Sequence, residues 1–169
     1  SSEAPLPAEV ERYFLRQHQE QQLRIARSLP WSVVAASADW RVMPDWPRWR
    51  PPFAAHFVGG ALAPFSFQRA RHVHEPRERW AFAFGASTAN ISGAGQGGAV
   101  ASVLHLAAAA VASGEGRRGA TKSLTVRYLR PLRPVPGVFL VDVAVVEERE
   151  GRAHVEGRLT SEEGEVLDE

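Results

Sequence analysis

The chain has 169 residues, 20 basic and 19 acidic, and a formal charge of +1, which argues against a nucleic-acid partner held by bulk charge. Cysteine is absent, which excludes disulfides, cysteine-ligated zinc, iron–sulfur clusters and thiol nucleophiles. With 44% apolar and 23% charged residues the composition is globular, enough for one domain or one domain with an extension.

Taken in chain order, residues 1–8 are proline-rich and read as loose. Residues 9–29 read as a helix rich in Glu, Arg and Gln that Pro30 ends. Its apolar positions (Val10, Tyr13, Phe14, Leu15, Leu23, Ile25, Ala26 and Leu29) are interrupted in the middle, as in a docking helix with a weak stripe. Residues 30–53 interleave Trp31, Trp40, Trp46 and Trp49 with Pro44, Pro47, Pro51 and Pro52. Proline rules out a continuous helix or a central strand there. Two readings stand: an irregular strap packed on its own domain, or a partner surface, since Trp and Arg favour binding hot spots.

Beyond this extension the pattern becomes regular. Residues 65–73 and 79–84 are predicted strands joined by a turn at Glu75-Pro76. Residues 85–95 form a loop of small residues, and residues 97–113 a helix with seven alanines. Residues 121–130 alternate Leu124, Val126 and Tyr128 against Thr125 and Arg127, as a strand does. Strands follow at 138–147 and 152–160 around a turn at 148–151, and a last strand begins at Val166-Leu167. The order predicts an α+β domain over residues 61–169, an antiparallel sheet wrapped around one central helix, with residues 1–60 as an N-terminal extension. An alanine-rich helix lets a curved sheet approach closely from several sides. The longest apolar run, residues 99–112, is shorter than the roughly 20 residues that span a bilayer, so no membrane span is expected. No secretory signal is visible; Ser1 opens the sequence and Met43 is the single methionine, so a processed or trimmed N-terminus is expected, with loss of an organellar transit peptide as one source.

The balanced charge total hides an uneven layout. Residues 80–114 contain no Asp, Glu, Lys or Arg, and His105 is their one ordinary titratable side chain. Residues 147–169 carry nine acids against three arginines, while Arg117, Arg118, Lys122, Arg127, Arg130 and Arg133 form an acid-free basic block.

Two stretches carry a resemblance. Residues 92–102, Ser-Gly-Ala-Gly-Gln-Gly-Gly-Ala-Val-Ala-Ser, open the helix, and residues 121–131, Thr-Lys-Ser-Leu-Thr-Val-Arg-Tyr-Leu-Arg-Pro, follow it. Their sequence and spacing resemble the hotdog-fold thioesterase superfamily, in particular its PaaI-like group and the mitochondrial Them-type acyl-CoA thioesterases. The likeness runs over about residues 65–169. It implies a hotdog fold, an acyl-CoA thioester as substrate, no cofactor or metal, and a site built between hotdog subunits of a homodimer or heteromer. It also implies a mitochondrial matrix protein, with the cytoplasm as the other compartment expected.

In that family the backbone N–H groups of two glycines at the helix start hold the thioester carbonyl. Gly97 and Gly98 occupy these positions, where free N–H groups and the positive helix end favour developing negative charge. The alternative is a plain loop-to-helix turn. The family's His before the two glycines is Gln96 here, which can donate a hydrogen bond but cannot act as acid or base. The family's helix Asp, nine residues further on, is His105 here. His105 reads either as a general base or as a buried, hydrogen-bonded core residue. It shares a helix face with Gly98 and Ser102, which permits a Ser–His pairing. Thr121 matches a family position where a hydroxyl orients substrate or water, or it is an ordinary strand-edge residue. Arg130 and its basic neighbours match the region near the coenzyme A phosphates, or they form a solvated face.

Three functions follow. The first is an acyl-CoA thioesterase-like protein with Gln96, His105 and Thr121 as catalytic candidates and Gly97, Gly98, Ser102 and Arg130 as substrate contacts. The second is a catalytically inactive hotdog subunit, structural within a larger mitochondrial complex that it contacts through the strap and the N-terminal helix. The third, a hydratase on the same fold, lacks the helix carboxylate it would need.

Overall fold

The computed structural model describes residues 37–43, 65–114, 119–161 and 164–168. Six strands and one long helix make up the domain: β1 (Trp40–Val42), β2 (Phe65–His72), β3 (Arg77–Phe84), α1 (Gly97–Ser113), β4 (Gly137–Arg149), β5 (Arg152–Ser161) and β6 (Val166–Asp168). The strands lie in sequence order in one sheet, and every neighbouring pair is antiparallel. The chain leaves the sheet after β3, forms α1, and returns to place β4 beside β3. This is the expected layout of one helix on an antiparallel sheet. The predicted helix at 9–29 and Trp31, Trp46 and Trp49 lie outside the described residues, as does nearly all of the extension 1–60.

Alternation decides which face is the core. Trp80, Phe82 and Phe84 on β3 point to the same side as Phe139, Val141 and Val143 on β4 and Leu159 on β5. All seven are buried, and each contributes roughly 1.5–3 kcal/mol through burial of its apolar surface. The helix covers this side with Ala99, Val100, Val103, Leu104, Ala107, Ala110 and Val111, a stripe at helical spacing. The alanines on that stripe let the helix sit close to the aromatic layer. The opposite face of α1, with Gly98, Ala101, Ser102, His105, Ala108 and Ala109, is half-buried or exposed. The sheet therefore meets one side of α1, where the alanine content suggested several.

The turns follow local chemistry. Glu150 and Gly151 both have positive φ, 51° and 72°, as a two-residue hairpin of right-twisting strands requires. Between β2 and β3 the Nδ1 of His72 accepts the backbone N–H of Glu75 at 3.0 Å, closing the predicted turn.

Two expectations change. Trp40 sits in a short edge strand and not in an irregular strap. Its ring packs under the Arg79 guanidinium at 4.3 Å and edge-on to His72 at 5.1 Å on the outer face of the sheet. Residues 121–127 form no strand, despite their alternation. Among the described residues the segment joins the sheet at its far end. Its attachment begins at Tyr128, which bridges Asp168, and continues with the Leu129 and Arg130 N–H groups, which both donate to the Leu167 carbonyl. A strand needs a ladder along its length, and residues 121–127 have none among the described residues.

Candidate functional site

Local chemistry determines where α1 starts. Asn90 Oδ1 accepts from the Ser92 N–H (2.9 Å), the Ser92 hydroxyl (2.7 Å) and the Ala94 N–H (3.2 Å), which curls residues 90–94 into a tight loop. Gly93 supplies the positive φ of 75° that this curl needs. Gly95 lies against Leu132 so closely that a Cβ there would come within 2.5 Å of the leucine side chain. Gln96 is the N-cap: its Oε1 accepts the Ala99 N–H at 2.8 Å. The N–H groups of Gly97 and Gly98, first in the helix, have no intrahelical acceptor. No acid occupies the first turn, so no carboxylate offsets the positive end of α1. Tyr128 anchors the start by donating its hydroxyl proton to the Gly97 carbonyl at 2.9 Å.

The sequence candidates separate into two groups. Gln96, Gly97 and Gly98 are at the helix start. His105 and Thr121 form a pair two turns further along, with Nε2 and Oγ1 2.7 Å apart. Both side chains are exposed, which overturns the reading of His105 as a buried core residue. Ser102 does not join them: its hydroxyl donates to the Gly98 carbonyl at 2.7 Å, a bond within the helix. The permitted Ser–His pairing is therefore replaced by a Thr–His pairing that the sequence separation of 16 residues concealed. Arg130 forms an ion pair with Glu165, where the acidic tail approaches the basic block.

A cleft of about 430 Å³ opens at the helix start, between the 90–95 loop and residues 128–133. Gly97 and Arg130 line it; His105, Thr121 and Ser102 do not. Arg133 also lines it and reaches the Ser92 carbonyl at 3.4 Å. Sequence reasoning missed Asp168 in its wall. This residue is 1% exposed and its Oδ1 has no hydrogen-bond partner. Burial pushes its carboxyl up to about 6, against the opposing effect of the Leu129 N–H. No sequence signal marked it, because an acid next to the last residue of an acidic tail reads as solvated.

The sign of this shift yields a prediction. A carboxyl that is harder to ionise when folded destabilises the fold once it is charged. The cost is absent below the ordinary value of 3.8, grows to about 6, and stays constant above it. Asp168→Asn is expected to be more stable than the parent at pH 8, by at most about 3 kcal/mol, and equal to it near pH 4. Urea midpoints of both proteins at the two pH values test this; an unchanged difference would show that Asp168 is solvated.

Among the described residues no group of three His, Asp or Glu is placed to hold a metal ion. No described helix is long and apolar enough to cross a membrane.

Neither a protein-family model nor a curated protein matches the sequence. Solved structures do match the fold. A thioesterase superfamily protein aligns over 98% of this chain and 78% of its own, at 20% identity and a TM-score of 0.61. A phenylacetic acid degradation-related protein from Ralstonia eutropha JMP134 aligns over 89% of this chain and 93% of its own, at 15% identity and a TM-score of 0.52. A hypothetical thioesterase from Streptococcus pneumoniae TIGR4, solved with coenzyme A, aligns over 62% of this chain and 81% of its own, at 16% identity and a TM-score of 0.53. The chain has the hotdog fold that these thioesterase superfamily structures share.

Proposed function

We propose that this chain is an acyl-CoA thioesterase-like protein with an altered active site, assembled between two hotdog subunits. The observation that carries the reading is the exposed His105–Thr121 pair, a base in hydrogen-bond contact with a hydroxyl on the free face of α1. A neighbour of the same fold solved with coenzyme A supports the substrate class.

The two halves of the site do not meet within one chain. Gly98 and His105 are seven residues apart on α1, so they are separated by about 10 Å along the axis. A carbonyl held by the Gly98 N–H is then out of reach of His105 on the same helix. A second subunit brings its own His105 and Thr121 to the first subunit's helix start. Exposed Ile91, Leu124, Tyr128 and Leu129 around the cleft and along the sheet edge are apolar surface that such a subunit would cover. In this arrangement Gly97 and Gly98 hold the developing oxyanion, and the Gln96 amide can donate to the same carbonyl. His105 takes the proton of the attacking group, and Arg130 and Arg133 face the phosphates of coenzyme A.

One observation favours a second reading, a catalytically inactive hotdog subunit within a larger mitochondrial complex. Residues 80–114 contain no carboxylate, so the helix offers no acid of the kind the related enzymes use. Hydrolysis assays with short-, medium- and long-chain acyl-CoAs separate the two. Release of free thiol with at least one chain length is expected. No release with any of them, with the protein recovered in a large complex, would select the inactive subunit.

A further inference from the structure

His105 Nε2 and the Thr121 hydroxyl are 2.7 Å apart. A hydroxyl within hydrogen-bond reach of an imidazole is the arrangement that activates a side-chain nucleophile. With the imidazole proton on Nδ1, the Thr121 hydroxyl donates to Nε2, the direction in which its proton must leave. Both residues are exposed, so an acyl group can reach Oγ1. The neighbouring alternative, Ser102, has committed its proton to the Gly98 carbonyl at 2.7 Å, while the imidazole is hydrogen-bonded to Thr121. The helix carries no acid that could itself attack or take a proton from water.

We propose that Thr121 is the nucleophile of this site and that turnover passes through an acyl-threonine ester, with His105 as its base. The inference rests on the thioesterase reading above and adds a covalent step to it. Oγ1 attacks the thioester carbonyl carbon while its proton passes to Nε2 of His105. The resulting oxyanion collapses, the C–S bond breaks, and the imidazolium returns that proton to the departing thiolate. Water then attacks the acyl-threonine carbonyl and gives a proton to His105. The C–O bond to Thr121 breaks and Oγ1 regains a proton from the imidazolium. The sum is thioester plus water giving carboxylic acid and thiol, with no oxidant, reductant or metal consumed.

The test uses the full chain, one acyl group on two leaving groups (acyl-CoA and acyl-pantetheine), and methanol as a competing acceptor. A shared acyl-enzyme partitions between water and methanol in one ratio, whichever thiol has left. The expected result is the same ester-to-acid ratio from both donors. Rapid acid quenching should also find the acyl mass on the peptide that contains Thr121. Thr121→Ala is expected to lose about 100-fold or more in turnover and the adduct, and Thr121→Ser to retain both. Ratios that differ between the donors would overturn the proposal, as would a Thr121→Ala protein that turns over within about threefold of the parent. Absence of turnover by the unaltered protein with every donor is a different outcome: it removes the thioesterase reading, and the covalent step with it.

Discussion

Two inactive variants mixed together are expected to recover about a quarter of the parent's acyl-CoA hydrolysis. His105→Ala should lower turnover by about 10²–10⁴-fold, since it removes the proposed base. Gly98→Pro should lower it by about 10²–10³-fold, since it removes one oxyanion donor. Proline is tolerated in the first turn of a helix, and the Cβ it adds comes within 2.8 Å of Gln96 Oε1, the end of a flexible side chain that can shift, so the second variant should keep its fold. In a symmetric dimer with shared sites, half of the randomly paired dimers contain one of each chain. Each such dimer has one site with both alterations and one site with none. Mixing after mild unfolding and refolding, followed by a thiol-release assay, reads the recovery. If two folded, dimeric variants fail to complement each other, each site draws both groups from one chain, and the 10 Å argument along α1 is wrong.

The second large effect concerns stability. Glu78 on β3 is fully buried, on the same side of the sheet as the aromatic core. Its Oε1 accepts from Arg71 Nε at 2.9 Å and Nη2 at 2.6 Å, a two-pronged contact. Its Oε2 accepts from the Trp80 indole N–H at 3.0 Å and faces Arg69 Nη1 at 3.5 Å. Glu78→Ala would remove the buried carboxylate that two arginines and an indole N–H share. The expected cost is about 3–5 kcal/mol, read as a lower urea midpoint. Replacing the group as a whole, with Glu78→Leu, Arg69→Met and Arg71→Met, should recover most of that loss, because no buried charge is then left alone. A Glu78→Ala loss below about 1 kcal/mol would mean that water reaches the arginines and that the pair behaves as a surface contact.

Much of the fold could be read locally. The seven alanines and the absence of charge over residues 97–113 matched the helix, and the Glu150-Gly151 and Glu75-Pro76 turns matched the chain reversals. These features depend on neighbours a few positions away. The alternation at 121–127 misled for the opposite reason, because a strand also needs a partner along its length, which alternation alone does not supply. Trp40 misled because prolines nearby in sequence do not prevent three residues from pairing at an edge.

Gln96, Gly97 and Gly98 at the helix start were also legible, since a cap and two orphan N–H groups are local matters. The His105–Thr121 pair was not. Which face of α1 packs on the sheet depends on β3, β4 and β5, and that choice turned His105 outward toward residue 121. Glu78 and Asp168 carry the same lesson for charge. As residue types both read as surface acids, yet one is buried among arginines and the other lies in the wall of a cleft. The sequence alone determined the helix, its start and the absence of any acid on it, because each is set by residues adjacent in the chain. The tertiary structure decided which hydroxyl meets the imidazole and which carboxylates leave water, because burial and contact across the sheet belong to no single segment.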